Sequence, residues 1–298
     1  MEIDTKCPNC KSQSIRKDGK RKTENRGLIQ RYKCKECGLR FVLDYGFYRM
    51  RNSPQKITCA LDLFYRGVST RKVQEHFQAF YPHNSSHKSI YKWIVKYSKK
   101  ISQYTHNLKL NVGNELQIDE MEYHRRKSRN YKGVDKNWFI DVIDTKTRFM
   151  VSSNYVKSRS MNELKDVLKS AKKKTEQQVK IITTDGYMAY PQALRNSFGL
   201  HKRDAKTKIT HHQVNASQGE GFNIMIERLH NNIRQRTKTF RGFHGSVESA
   251  NAIMKGYEVY YNFITKHQAL NKCPYELATD LKLNSENKWL ELIGLSNI

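Results

Sequence analysis

Two Cys-x-x-Cys pairs, Cys7-Pro8-Asn9-Cys10 and Cys34-Lys35-Glu36-Cys37, stand 23 residues apart near the start of a 298-residue chain and dictate how that stretch can fold. Four thiolates at this spacing close a tetrahedron around one Zn2+, so Cys7, Cys10, Cys34 and Cys37 read as a structural zinc site of the zinc-ribbon kind. Gly38 suits the tight turn after the second pair, and the polar stretch between the pairs is expected to form short strands such as Ile29–Lys33. Disulfides are the competing reading, but the opening Met-Glu-Ile-Asp-Thr-Lys lacks the basic-then-apolar order of a secretory signal. Cys59 and Cys273 have no partner at ligand spacing and read as lone apolar thiols.

The chain carries 55 Lys and Arg against 28 Asp and Glu, a formal net charge of +27. Before residue 113 there are 24 basic and 8 acidic side chains, after it 31 and 20, so the N-terminal third has over twice the charge density. Such an excess attracts phosphates through Coulomb energy and counterion release and points to nucleic acid, without choosing DNA or RNA. A solubilising surface or ribosomal-type RNA binding fits the same charge. No run of eighteen apolar residues occurs, which predicts no membrane partner and a cytoplasmic, nucleoid-associated protein. Within the ribbon, Arg21, Lys22, Arg31 and Lys33 are candidate phosphate contacts, although such modules also dock proteins.

From Ser53 to Lys100 the pattern becomes helical. Ser53-Pro54 reads as an N-cap with proline at the first helical position. Ile57, Ala60, Leu61 and Phe64 follow at helical spacing, then Val73, Phe77 and Phe80 up to Pro82, then Ile90, Trp93, Ile94 and Tyr97. Three short helices, the last one basic, suggest a helix-turn-helix or, equally, any small helical bundle. In the first case the exposed start of the third helix, Ser86, His87, Lys88, Ser89 and Tyr91, faces base edges, with Lys92 beside it. Trp93 reads as core.

Beyond residue 112 strands and helices alternate. Leu116–Asp119, Trp138–Ile143, Phe149–Val156 and Lys180–Thr184 read as strands, Asn162–Lys174 as a helix, and Asp144–Thr147 as a hairpin turn. That order fits a ribonuclease H-like α/β core. Asp119 and Asp185 end apolar runs, and Glu227 lies on a helix that buries Ile226, Leu229 and Ile233 and turns Asn223, Glu227, His230 and Arg234 to the other side. Taken singly, each acid is an ordinary turn former or solvated helical residue; together, in a chain that seeks polyphosphate, they are candidate cation ligands. His211-His212 reads as a loop near nucleic acid, and Tyr257, Tyr260, Tyr261 and Phe263 as core.

Gln117-Ile118-Asp119-Glu120, Thr183-Thr184-Asp185-Gly186-Tyr187 and Ile226-Glu227-Arg228-Leu229-His230, followed by Ile233-Arg234-Gln235-Arg236-Thr237-Lys238 and Arg241-Gly242-Phe243, resemble the motif blocks of prokaryotic insertion-sequence transposases with an Asp-Asp-Glu triad. The cysteine module and the helical module resemble that family's DNA-binding front end, so the likeness spans nearly the whole chain. It departs in one interval: 41 residues separate Asp185 from Glu227, longer than the family pattern, and an insertion between His201 and Gly221 would absorb the excess. Glu220, Glu120 and Asp141 are the replacements if a triad member is misplaced.

The resemblance implies an α/β fold in four parts: a zinc ribbon (1–46), a helix-turn-helix module (47–107), a ribonuclease H-like, integrase-type catalytic domain (108–275) and a C-terminal helical tail (276–298). It further implies Asp119, Asp185 and Glu227 as ligands of Mg2+ or Mn2+, which serve in-line displacement at phosphorus. Water first frees a 3′-hydroxyl at the element end, which then attacks target DNA. Arg228, His230, Arg234, Arg236 and Lys238 become candidate backbone-phosphate contacts. The partners are double-stranded DNA, as terminal repeats and target, and a second copy of the chain, since two ends must be joined. A transposase-derived regulator without activity and a structure-specific nuclease are the alternatives.

Overall fold

The structure is a computed structural model. It describes residues 6–23, 26–43, 45–47, 50–81, 83–123, 125–126, 134–175, 178–199, 208–214, 223–238, 243–244 and 246–297. Glu220, Pro82, Arg241, Gly242 and most of the 201–221 stretch therefore lie outside the described residues.

Strands β1 (Ile15–Thr23), β2 (Gly27–Cys34) and β3 (Arg40–Val42) form an antiparallel N-terminal sheet. Between residues 6 and 43 only Cys7 and Cys34 are buried among the described residues. So small a buried set cannot offset the chain entropy of folding, and such a unit needs a cross-link.

Helices α1 (Pro54–Tyr65), α2 (Thr70–Phe80) and α3 (His87–His106) follow, each started by a serine whose hydroxyl accepts an amide: Ser53 from Lys56, Ser69 from Lys72, Ser86 from Ser89. Their apolar stripes meet, with Ile57, Leu61, Val73, Phe77, Ile90 and Ile94 fully buried and Trp93 in the core, but Phe80, expected in the second stripe, is corrected: it ends its helix 73% exposed.

The remaining strands are β4 (Glu115–Glu122), β5 (Arg125–Arg126), β6 (Val134–Asp135), β7 (Trp138–Asp144), β8 (Met150–Val156), β9 (Ile181–Thr184), β10 (Thr210–Gln213) and β11 (Phe243–His244). Helices α4 (Met161–Thr175), α5 (Tyr190–Phe198), α6 (Ile224–Thr237) and α7 (Val247–Val259), a π-helical turn at Tyr260–Ile264, α8 (Tyr275–Ala278) and α9 (Lys288–Leu295) complete the chain. The main sheet runs β10-β9-β4-β7-β8: β4, β7 and β8 form an antiparallel meander, and β9 and β10 lie parallel to β4. This mixed sheet fits a ribonuclease H-like domain. Helix α5 covers the face that carries Glu120, through Tyr190, while α6 and α7 cover the face of Asp119, Asp141 and Ser153. The expected turn forms, Asp144 accepting from the Thr147 amide at 2.8 Å. His211-His212 is corrected from loop to strand: both lie on β10, paired in parallel with β9, and His211 Nε2 is 2.9 Å from Thr184 Oγ1.

Edge strand β8 is sealed by side chains. Lys174 Nζ donates to the Val151 carbonyl, Asn262 takes both backbone groups of Met150, and Asn251 accepts the Tyr155 amide. The helical module is not a separate body. The Tyr65 hydroxyl lies 2.7 Å from Ser98 Oγ and donates to the Ile253 carbonyl of α7, an approach that Gly256 permits because a Cβ there would sit 1.9 Å from that hydroxyl. Helix α9 returns to α1, with Trp289 Nε1 donating to Asp62 and Asn287 to Thr58.

Candidate active site and zinc site

The cysteines predicted from spacing converge. Cys7 and Cys37 sulfurs are 3.5 Å apart, as are those of Cys10 and Cys34, and all four lie within 4.8 Å of one another. A tetrahedral Zn2+ with Zn–S bonds of about 2.3 Å needs sulfurs roughly 3.8 Å apart, so the donor set fits the ion. Positive φ at Lys11 (61°) and Gly38 (72°) folds each knuckle back so that the amides of Ser12 and Leu39 reach the sulfurs of Cys10 and Cys37. The Leu39 amide, then the Asn9 side chain, lower the Cys37 thiol; Cys10 is raised, against the Ser12 amide, by desolvation and by the neighbouring thiols.

In the main sheet Asp119 lies on β4 and Asp185 directly follows β9. The register Gln117↔Thr183 carries the two acids to the same end of adjacent parallel strands. Asp119 Oδ1 accepts from the Glu120 amide at 2.8 Å and Asp185 Oδ1 from the Tyr187 amide at 2.9 Å, which fixes both carboxylates. Burial first, and the charge of Asp119 with it, raises the pKa of Asp185. Glu227 comes from α6, whose N-terminus is pinned to β4 because Gln117 Oε1 accepts the amides of Met225 and Ile226 and Asn223 donates to the Ile118 carbonyl. One turn on, His230 meets Asp119. Glu227 itself is exposed. Among the described residues only the four cysteines form a group of ligand atoms within 4.8 Å of one another, so the three acids are not drawn that close together.

Around this site Asp141 and Glu120, named from sequence only as replacements for a triad member, and Arg159, not foreseen at all, make contacts that spacing does not announce. Asp141, directly opposite Asp119 across the β4–β7 register, is fully buried, and its Oδ2 is 3.2 Å from His230 Nε2. Burial pushes Asp141 up. Burial would push His230 down, but the carboxylates of Asp119 and Asp141 outweigh it and raise the imidazole. On the other sheet face Arg159 pairs with Glu120 at 3.3 Å, and its guanidinium lies 4.5 Å from the Trp138 ring and 4.3 Å from that of Tyr187. Burial, then Asp185 and Asp119, raise Glu120 against the Tyr190 hydroxyl that donates to it. The one visible clue was an Asp inside the apolar run Trp138–Ile143.

The expected DNA contacts divide. Arg21, Lys22, Lys88, Lys92, Arg228, Arg234 and Lys238 are exposed. Lys33 is half-buried, Arg31 Nε donates to the Asp18 carbonyl and Arg236 to the Arg66 carbonyl. The Ser86 hydroxyl caps α3, and His87 bonds Gln74. His230 is a correction: it is 2% exposed, with both ring nitrogens facing carboxylates, and has no path to a phosphate. Tyr257, Tyr260, Tyr261 and Phe263 are buried as expected. Cys273 is buried but not purely apolar in its surroundings, since Lys288 Nζ lies 3.1 Å from its sulfur. Among the described residues no helix is long and apolar enough to cross a membrane.

A family model described as a DDE domain matches residues 131–268. No curated protein matches the sequence. The matched stretch contains Asp141, Asp185, Glu227 and His230 and begins after Asp119, which β4 places beside β7. On that match residues 131–268 are similar to the DDE domain of insertion-sequence transposases.

Proposed function

We propose that the chain binds the terminal inverted repeats of its element and catalyses metal-dependent cleavage and transfer of DNA strands, with Asp119, Asp185 and Glu227 as ligands of Mg2+ or Mn2+. The observation that carries this reading is the arrival of Asp119 and Asp185 at one end of adjacent parallel strands, with Glu227 on the helix pinned against the first of them. Two fixed carboxylates, one with its pKa raised partly by the other, suit hard divalent cations. When bound, the metal supplies charge neutralisation and polarises the phosphodiester, easing charge on the attacking and departing oxygens.

The chain's own residues do the holding. Gln117 and Asn223 fix the height of α6 over β4 and hence of Glu227. Arg228 and Arg234 lie exposed on that helix, with Lys238 at its end, and serve as phosphate contacts. The ribbon, folded around Zn2+ by Cys7, Cys10, Cys34 and Cys37, and the first turn of α3, where Ser86 and Lys88 are exposed, acting as the recognition helix of a helix-turn-helix, hold the repeat. Since α3 packs along α7, the reading helix and the catalytic sheet move together. Two such chains, at least, are needed to join two ends, in the cytoplasm on the nucleoid.

The test is joining of a pre-cut, labelled element end into plasmid DNA with Mg2+ or Mn2+. Joined product is expected with the wild type and is expected to vanish in Asp119→Asn, Asp185→Asn and Glu227→Gln. A wild type that binds the end yet neither cuts nor joins it with either metal sinks the reading in favour of a regulator; cutting without joining favours a nuclease.

A further inference from the structure

The triad reading uses Asp119 and leaves two buried side chains behind it without a task. Asp141 is 0% exposed and stands directly across the strand pair from Asp119. One of its oxygens is 3.2 Å from His230 Nε2; the other, Oδ1, has no hydrogen-bond partner among the described residues. His230 is wedged between the two acids, its Nδ1 3.5 Å from Asp119 Oδ2. Asp119 is thus held by the Glu120 amide at Oδ1 and approached by the imidazole at Oδ2, while 22% of its side chain stays exposed. A carboxylate offers about four lone-pair sites, so these contacts leave room for a metal ion. A buried carboxylate is costly, and apolar residues of similar size would pack the same space at lower cost.

We propose that Asp141 and His230 are positioning residues: Asp141 anchors the imidazole of His230, and His230 fixes the rotamer of Asp119 so that its open oxygens face a divalent cation. This rests on the reading of Asp119 as a metal ligand. The chain order supports the arrangement. Asp141 is on β7 and Asp119 on β4, so their separation is set by the strand pairing, and His230 reaches both only because Gln117 sets the height of α6. Carboxylate-to-histidine contacts behind a ligand typically change metal affinity or activity by about 10–100-fold when broken.

The test is a calorimetric titration of the full, zinc-loaded chain with Mn2+ in the absence of DNA, on the wild type, Asp185→Asn, Asp141→Asn and His230→Gln, with thermal melting recorded for each. Wild type is expected to show saturable Mn2+ binding that Asp185→Asn loses. Asp141→Asn, isosteric and relieved of a buried charge, is expected to melt like wild type yet bind Mn2+ about 10–100-fold more weakly, and His230→Gln to weaken binding likewise. A folded Asp141→Asn that binds Mn2+ like wild type, while Asp185→Asn does not, overturns the positioning role and leaves the triad standing; the pair is then only a brace between α6 and the sheet. If wild type and Asp185→Asn bind alike, the triad reading fails and this inference falls with it.

Discussion

In the N-terminal ribbon only Cys7 and Cys34 are buried between residues 6 and 43 among the described residues, whereas in β7 every residue from Phe139 to Asp144 is. The ribbon turns its Lys and Arg to solvent and depends on four sulfurs; the sheet encloses apolar side chains on both faces and admits charge only where it is partnered. Each region therefore fails in a different way. Losing a ligand is expected to dissolve the ribbon and spare the sheet, while losing a charge or a close contact in the core is expected to loosen the main sheet and its helices and spare the ribbon.

The largest expected effect is on the ribbon. A structural zinc site contributes folding free energy outright, so Cys34→Ser, or chelation of Zn2+, is expected to abolish hydrogen-exchange protection of the amides in β1 to β3. Protection in β4 and β7 stays unchanged; simultaneous loss in both would erase the contrast. Next comes Glu258→Leu. Glu258 pairs with Lys255 at 2.9 Å and Lys174 at 3.7 Å and accepts from Ser153 at 2.7 Å, so its removal leaves the buried ammonium of Lys174 unpaired. Breaking such a pair from one side costs about 3–5 kcal/mol, measurable by urea unfolding of the core.

Gly256→Ala follows, since its Cβ would lie 1.9 Å from the Tyr65 hydroxyl and 2.2 Å from Ser98 Oγ. Overpacking of this kind costs about 1–3 kcal/mol and should appear in the same urea transition. Smallest is Asp18→Asn in the ribbon. Its 3.0 Å pair with Arg40, whose side chain is 65% exposed, is screened by water, and its loss should change ribbon stability by less than about 1 kcal/mol in zinc-loaded protein.

How far the sequence foretells this molecule follows from the same contrast. Zinc-ligand spacing is local, so Cys7 to Cys37 are legible at once. Strands β7 and β8 announce themselves as apolar runs, and Asp119 and Asp185 stand out because an acid that ends such a run in a basic chain needs a reason. Strand β10 is Thr-His-His-Gln, with no apolar alternation, and becomes a strand only because β9 offers a free parallel edge. His230 misleads for a related reason. Helical spacing puts it on one polar face with Asn223, Glu227 and Arg234, but in the structure Asn223 and His230 are buried while Glu227 and Arg234 are exposed, and nothing in that spacing says that β7 presents Asp141 to His230. The glycine that lets α7 approach Tyr65 and Ser98 is equally silent, because the close approach joins residues 65, 98 and 256 from three elements.

The division of labour between ribbon and sheet is tested most directly by incubating a labelled, pre-cut element end and plasmid DNA with Mg2+ and reading bound complex and joined product from the same samples, for wild type, zinc-chelated protein and Asp185→Asn. Asp185→Asn is expected to hold the end as wild type does and to join none of it, while chelated protein is expected to lose the specific complex and retain unspecific nicking. Loss of binding in Asp185→Asn, or loss of binding and nicking together on chelation, would contradict the account.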